Sequence, residues 1–292
     1  NMSLPMTAEC LMCHFNRSVK KAMALGDEAK ALAFAKELMG VYQNAPADVS
    51  SPWFNPIVEE MLCRYFGLEG DQYREEKKMS NRFVMERFDG FCATAENAED
   101  PVLAGLQLAI LGNYMDFSAL QDQVSFEKLE EMVQQALQMQ LDTEVYQALR
   151  EDLQKGKKLL YLTDNAGEIG MDRIFAQQIH KAFPHLDITF CVRGGNTVND
   201  ATREDAAFVG IPFPVIDNGN LVSGTQLDML GPEAKEAMDT ADMIISKGMA
   251  NVETLYGSGY PVYYAFLIKC PRFVHQFGKP LMTPMLVREP KK

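Results

Sequence analysis

Oxygen-bearing side chains follow directly after an apolar run in the second half of the chain. Residues 158–163 read Lys-Leu-Leu-Tyr-Leu-Thr, and Asp164, Asn165 and Glu168 come soon after them. A helical pattern then starts at once, so we expect a buried strand that leads into a helix N-terminus. Carboxylate and amide oxygens suit a hard divalent cation, and a helix N-terminus suits an anion. The two preferences together indicate phosphate chemistry.

Two further candidate strands also end in polar residues, within segments 192–202 and 245–253. The carboxyl ends of parallel strands lie at one edge of a sheet, where ligands bind in folds of this kind. We therefore expect the three polar segments to meet. Asp164, Asn165 and Asp200 would then form an oxygen-rich site for Mg²⁺ or Mn²⁺, which also leaves room for phosphate oxygens.

Simpler roles are open for each of these residues. Asp164 and Asn165 are also residue types that cap helices well. Asp200 precedes a candidate helix at 201–209, and it would serve equally as the N-cap of that helix. For Asp200 the cap and metal roles are compatible with each other.

Glycines and a lysine at the other strand ends indicate an anion site. Gly194 and Gly195 would let a backbone loop approach a ligand closely, although paired glycines also simply turn a chain. Lys247 would neutralise a phosphate, and Gly248 would clear space for it. The alternative for Lys247 is a lysine in solvent.

Two residue pairs outside the strand ends also suggest chemistry. Asn113 and Asp116 are three residues apart and share a helix face, so they either reach the cleft and orient its ligands or form a buried polar link between domains.

Cys10 and Cys13 have the spacing of zinc ligands, but a tetrahedral site needs two more. A redox role and a structural role are the other possibilities for this pair.

Composition limits the class of protein. The chain has 292 residues, 47% of them hydrophobic, and a net charge of −12, which argues against a nucleic-acid partner. We expect no membrane span, because no apolar run reaches about 18–20 residues. Six scattered cysteines without a visible secretion signal predict thiols in a cytoplasmic protein. Nothing in the sequence indicates an oligomeric state.

Apolar spacing divides the chain into two halves. Up to residue 154 the apolar positions repeat with helical spacing, and afterwards strand-like and helix-like segments alternate. We predict an α/β protein with a helical domain at 2–154 and an αβα domain with a mainly parallel sheet at 155–292. The candidate helices are 22–42, 57–66, 83–91, 102–115, 129–139, 145–153, 172–183, 201–209, 232–240 and 252–257, and the candidate strands are 158–163, 187–193, 214–217, 241–246 and 261–268.

Taken together, the motifs resemble a known family, the damage-control phosphatases, first catalogued as domain of unknown function 89. Asp-Asn-Ala-Gly-Glu at 164–168, Asn-Asp-Ala-Thr at 199–202 and Lys-Gly-Met-Ala-Asn-Val-Glu at 247–253 carry the resemblance. Segments 112–117 and 268–271 are similar to further family motifs, and the pair Cys10 and Cys13 resembles the mark of a microbial subfamily with a CxxC motif.

The resemblance implies a phosphatase with a helical N-terminal domain and a Rossmann-like αβα domain. It implies one divalent ion, Mn²⁺, Mg²⁺, Co²⁺ or Ni²⁺, held by Asp164, Asn165 and Asp200. The implied substrates are small sugar phosphates or damaged phosphorylated metabolites. The implied substrate contacts are Lys247, Gly248, Met249, Ala250, Asn251 and Lys269.

Our leading hypothesis is therefore hydrolysis of a phosphomonoester. Lys247 and Lys269 would stabilise the phosphoryl oxygens, and Glu168 would orient the attacking water or take its proton. A variant in which Asp164 attacks phosphorus is less favoured because Asp164 is needed as a ligand. Two other classes remain open: an enzyme that binds a nucleotide or a methyl donor, although the G-x-G-x-x-G spacing is lacking, and a non-catalytic binding protein.

Overall fold

The computed structural model describes residues 4–114 and 126–290 of the chain. Before residue 156 the described residues form α-helices, joined by turns and by a 3₁₀ segment at Ser51–Phe54. In these two ranges no helix is both long and apolar enough to cross a bilayer. The helices are α1 (Ala8–Ala24), α2 (Glu28–Asn44), α3 (Asn55–Phe66), α4 (Arg74–Met85), α5 (Phe88–Glu96), α6 (Pro101–Tyr114), α7 (Phe126–Ala136) and α8 (Thr143–Lys155).

Strands and helices alternate in the second half, as the sequence predicts. A second 3₁₀ segment, Leu227–Met229, follows the third strand. In chain order the elements are β1 (Lys158–Leu162), α9 (Glu168–Ala182), β2 (Asp187–Val192), α10 (Arg203–Phe208), β3 (Val215–Asp217), α11 (Pro232–Thr240), β4 (Met243–Lys247), α12 (Met249–Leu255), β5 (Val262–Leu267), α13 (Pro271–Phe277) and β6 (Pro284–Arg288).

Six strands form one sheet in the order β3-β2-β1-β4-β5-β6. Strands β1 to β5 run parallel, and β6 pairs antiparallel with β5 at the edge. Every residue of β4 and β5 is buried, which is the pattern of a parallel sheet covered by helices on its two faces. The predicted fold class is therefore confirmed.

The register of the sheet places the predicted polar segments at one level. Leu162 of β1 pairs with Cys191 of β2 and with Ser246 of β4, so these three strands end together. The chain order also reverses here, since β2 and β3 lie on one side of β1 while β4 and β5 lie on the other. Parallel sheets bind ligands at such a switch point.

A shared hydrophobic core connects the helical half with the sheet. Leu106 of α6 lies in the same buried cluster as Leu159 and Tyr161 of β1. Helix α6 also runs close to α9, and a Cβ placed on Gly105 would lie 3.0 Å from the Cα of Phe175. The division at residues 154 and 155 stays a prediction, and this core extends across it.

Several element boundaries differ from those predicted. The predicted helix 22–42 covers the end of α1 and most of α2, because the chain turns at Gly26 with φ +82°. Asp27 then caps α2 by accepting from the N–H of Lys30 at 3.0 Å. The predicted helix 83–91 likewise spans the end of α4 and the start of α5. The sequence reading did not include α13 or β6.

Candidate active site

The loops that follow β1 and β2 are tied together by their backbones. The N–H of Ala201 donates to the carbonyl oxygen of Asp164 at 2.8 Å. Asn165 and Asp200 form an isolated antiparallel bridge between the two loops. The fold thus brings Asp164, Asn165 and Asp200, the three predicted metal ligands, into one cluster at the end of the sheet.

The carboxylate of Asp200 is held from two sides. Its Oδ2 accepts from Nε of Arg193 at 2.6 Å, and its Oδ1 accepts from the hydroxyl of Ser223 at 3.2 Å. Arg193 is buried and also donates to the carbonyl oxygen of Thr163 at 3.1 Å. The sequence analysis did not single out Arg193 or Ser223, although Arg193 lies in the predicted polar segment after β2.

Asp164 is fixed through one of its two carboxylate oxygens. Oδ2 accepts from Nδ2 of Asn113 at 2.9 Å and from Nδ2 of Asn165 at 3.1 Å. A Cβ on Gly248 would lie 1.9 Å from the same oxygen, and φ at Gly248 is +79°, so only glycine fits here. Across residues 4–114 and 126–290, the other oxygen, Oδ1, accepts no hydrogen bond.

A buried ion cluster lies beneath these residues. Nζ of Lys247 donates to the carbonyl oxygen of Ala109 and to the carboxylates of Glu168 and Asp172, each at 2.8 Å. The hydroxyl of Tyr161 donates to the same Asp172 oxygen at 2.7 Å. All three ammonium protons of Lys247 therefore have acceptors inside the protein, and the side chain does not reach a ligand in the way the sequence analysis expected.

Burial and mutual repulsion shift the protonation of the carboxyl groups. Burial raises the pKa of Asp164 well above its usual range, and the carboxylates of Glu168 and Asp200 add to this effect. Burial also raises the pKa of Asp200, against the opposing charge of Arg193. For Asp172 burial raises the pKa to about 6, although Lys247 opposes the shift. A cation near Asp164 and Asp200 would relieve the repulsion between them.

A cleft of about 420 Å³ opens over the cluster, between the sheet edge and helices α1 and α3. A larger and more open hollow of about 1020 Å³ lies beside the start of α6 and contains none of the predicted site residues. Of the predicted residues, the cleft is lined by Asn113, Asp164, Asn165, Asp200, Met249, Ala250 and Lys269. The predicted residues that lie outside this lining are Glu168, Gly194, Gly195, Lys247, Gly248 and Asn251.

Gly194 and Asn251, two of the predicted residues outside the lining, have hydrogen-bond partners within the fold. The N–H of Gly194 donates to Oδ1 of Asn218 at 2.8 Å, so it shapes the loop after β2 and is not free for an anion. Nδ2 of Asn251 donates to the carbonyl oxygens of Thr163 and Lys247, which ties α12 to β1 and β4. Asp116 lies outside the described residues.

A chain of hydrogen bonds crosses the cleft from the helical half to Asp200. In the His14 tautomer that satisfies its two partners, the hydroxyl of Tyr42 donates to Nδ1 (2.5 Å) and Nε2 donates to Oδ1 of Asn55 (3.2 Å). Nδ2 of Asn55 then donates to the hydroxyl of Ser223 at 3.2 Å, and Ser223 donates to Asp200. Burial is the main cause that lowers the pKa of His14 to about 4, so the ring is neutral at pH 7.

Cys10 and Cys13 line the same cleft as free thiols. The hydroxyl of Thr7 donates to the sulfur of Cys10 at 3.1 Å. Within the described parts of the chain, no group of three or more His, Cys, Asp and Glu side chains is arranged to hold a metal ion. The zinc alternative for this pair therefore lacks the further ligands that it requires.

Comparison with known proteins identifies the family. The damage-control phosphatase ARMT1-like domain matches residues 6–283. The chain belongs to this family. The damage-control phosphatase of Archaeoglobus fulgidus is 31% identical over 225 residues, which is 76% of each chain. A damage-control phosphatase of Pyrococcus horikoshii is 33% identical over 178 residues, 60% of this chain and 61% of the relative.

Two further similarities extend over nearly the whole chain. An uncharacterized protein of Methanocaldococcus jannaschii is 29% identical over 288 residues, 94% of this chain and 93% of the relative. The crystal structure of a DUF89 family protein from Pyrococcus horikoshii superposes with a TM-score of 0.85 at 24% identity, covering 98% of this chain and all of the other. The structural match shows a shared fold.

Proposed function

We propose that this protein is a divalent-metal-dependent phosphatase that hydrolyses small phosphorylated metabolites, either sugar phosphates or damaged phosphometabolites. The observation that carries the proposal is the cluster of Asp164, Asn165 and Asp200 at the floor of a cleft of about 420 Å³. Family membership favours a phosphatase over an enzyme that binds a nucleotide or methyl donor, and over a non-catalytic binding protein.

The side chains of the cluster fit a divalent ion. They offer two carboxylates and one amide oxygen, a donor set that suits Mg²⁺ or Mn²⁺ and also accepts Co²⁺ or Ni²⁺. The Oδ1 atom of Asp164 has no hydrogen-bond donor among the described residues, which leaves it for a cation. When bound, such an ion would neutralise charge on the phosphoryl oxygens.

The remaining polar residues divide into cleft and support roles. Lys269 lines the cleft, and its Nζ donates to the carbonyl oxygen of Asn113. We assign to Lys269 the role of binding the phosphoryl oxygens. Asn113 orients Asp164 through the bond to Oδ2. We assign positioning roles to Glu168 and Lys247: Glu168 accepts from Asn113 and Asn165, and Lys247 holds Glu168 in place.

The test is phosphate release from a panel of aryl and sugar phosphates with Mg²⁺, Mn²⁺, Co²⁺ and Ni²⁺ in parallel. Asp164→Asn and Asp200→Asn should each lower kcat/KM by about a thousandfold or more, because each removes a charge that holds the ion. Asp187→Asn is the matched control, since Asp187 is exposed at the opposite end of β2. Wild-type turnover in either cluster variant would contradict the proposal.

Asp164 could act as a metal ligand or as the nucleophile that attacks phosphorus. Testing the protein for bound phosphate after incubation with a substrate of the panel distinguishes these two roles. A ligand at this position leaves no covalent species on the protein. An acid-stable phosphoenzyme that hydroxylamine cleaves would instead assign Asp164 as the nucleophile.

A further inference from the structure

The walls of the cleft include one face of α1. Cys10, His14, Arg17 and Lys21 follow one another at intervals of four, three and four residues, so they share a helix face, and all four line the cleft. This face carries two cations, in a protein whose net charge is −12. This face therefore adds positive charge to a cleft that the carboxyl groups of Glu9, Glu59 and Glu76 also line.

Two of the cations in the cleft already have partners. Nζ of Lys21 lies 3.3 Å from the carboxylate of Glu59, and Nζ of Lys269 donates to the carbonyl oxygen of Asn113. The other two have neither a hydrogen bond nor an ion pair within the described residues. These two are Arg17, on α1, and Arg272, near the start of α13.

Arg17 and Arg272 act on a common neighbour, the carboxyl group of Glu253, which also lines the cleft. Burial raises the pKa of Glu253 to about 7, although each of the two arginines opposes the shift. Arg17 also contributes, after burial, to the low pKa of His14. Both guanidinium groups thus influence the same carboxyl group in the cleft, and among the described residues neither of them forms an ion pair with it.

We propose that Arg17 and Arg272 form a second anion subsite, and that the preferred substrates carry a phosphate or carboxylate group besides the phosphate that is hydrolysed. Guanidinium groups bind these anions through paired N–H donors, which gives geometric selectivity as well as charge. This inference rests on the proposed phosphatase function and adds the class of substrate. The cluster would hold the reacting phosphate while the arginines hold the other end of the molecule.

The test compares kcat/KM for substrates that differ by one anionic group. A hexose bisphosphate is paired with the hexose monophosphate, and phosphoglycerate is paired with glycerol phosphate, so that the two pairs separate a second phosphate from a carboxylate. We expect the wild type to prefer the member with the added anion by about tenfold or more in at least one pair. Arg17→Ala and Arg272→Ala should each reduce that preference by about tenfold.

Two variants control for charge and for folding. Lys20→Ala removes a positive charge from another face of α1, where the side chain is exposed and does not line the cleft, and it should keep the preference. Arg17→Lys keeps the charge but loses the paired donors, so it should give an intermediate preference. Melting temperatures of the four variants verify that each is folded.

The outcomes separate this inference from the function on which it rests. If Arg17→Ala and Arg272→Ala lower kcat/KM equally for the two members of each pair, the subsite is overturned and the phosphatase proposal stands. An equal loss of preference in Lys20→Ala would overturn it as well. If the wild type releases phosphate neither from these four substrates nor from the aryl and sugar phosphates of the wider panel, with any of the four metals, the two proposals fail together.

Discussion

Lys247 is enclosed although it ends a strand at the sheet edge where ligands bind. The sequence analysis places this lysine just after the predicted strand 241–246, and in the structure it is the last residue of β4. Its surroundings depend on α6 and α9, which cover it with Ala109, Glu168 and Asp172. The position of Asp172 could have indicated this ion cluster, because Asp172 follows Glu168 by four residues and the two carboxylates share a helix face. Which face of α9 would be buried is decided by contacts with α6, and the local sequence does not contain that information.

His14 provides a prediction at the residue scale. Its pKa of about 4 in the folded protein lies below the value of 6.5 for an unperturbed histidine, so the folded state favours the neutral ring. The resulting stabilisation is complete above pH 6.5 and is lost as the pH falls towards 4, because the unfolded chain binds the proton first. Over this range the loss should be about 3 kcal/mol.

The measurement is the free energy of unfolding in urea at pH 7 and at pH 4.5, for the wild type and for His14→Gln. Many carboxyl groups titrate in the same range, so the quantity of interest is the difference between the two proteins. We expect the wild type to lose more stability than His14→Gln on acidification. Parallel losses in the two proteins would show that His14 is not held neutral.

At the scale of elements, the strand ends were predictable and the helix packing was not. Predicted strands 158–163 and 187–193 agree with β1 and β2 to within one residue, because buried parallel strands are continuous apolar runs. The position of Asp200 beside Asp164 follows from the adjacency of these two strands. Strand β6 was missed because it begins with Pro284, which is an unfavourable residue in a strand.

The contact between α6 and α9 gives a prediction for stability. Gly105 allows this approach, since an added Cβ would lie 3.0 Å from the Cα of Phe175 and 3.3 Å from its ring. Gly105→Ala should therefore destabilise the protein by about 1–3 kcal/mol, by forcing the helices apart. Gly40→Ala is the matched change in α2, where an added Cβ meets nothing within 4 Å.

Urea unfolding of the two variants tests this packing. Gly40→Ala should stabilise the protein by about 0.5–1 kcal/mol, because alanine is the better helix former. The two substitutions should therefore change the free energy of unfolding in opposite directions. Stabilisation by Gly105→Ala as well would show that α6 and α9 are not closely packed at this position.

At the scale of the whole molecule, the sequence predicted the sheet edge but not which helices form the cleft above it. Asp164, Asn165 and Asp200 follow from strand order alone. The roles of His14, Arg17 and Asn55 depend on the position of α1 and α3 over the sheet. Contacts between residues more than a hundred positions apart, such as the hydrogen bond from Asn55 to Ser223, set this position. Periodicity within one segment carries no information about such contacts.

Metal binding should stabilise the whole molecule if the proposed site is correct. A ligand that binds only the folded state adds about 2.7 kcal/mol to the free energy of unfolding at a concentration one hundred times its Kd. We expect Mn²⁺ to produce this effect in the wild type and in Asp187→Asn, and to produce little in Asp164→Asn. Urea unfolding with Mn²⁺ or with a chelator measures it without any substrate, and an equal response of the three proteins would place the ion elsewhere.

The hydrogen-bond chain from Tyr42 to Asp200 also has a consequence for biosynthesis. Asn55 emerges from the ribosome 168 residues before its partner Ser223, and the N–H of Leu4 pairs with the carbonyl oxygen of Glu253, later still. The cleft face of the first helices therefore stays uncovered until most of the chain has been translated. Such distant pairing favours slow final docking, so nascent chains should acquire helical structure well before they acquire the ability to bind a ligand.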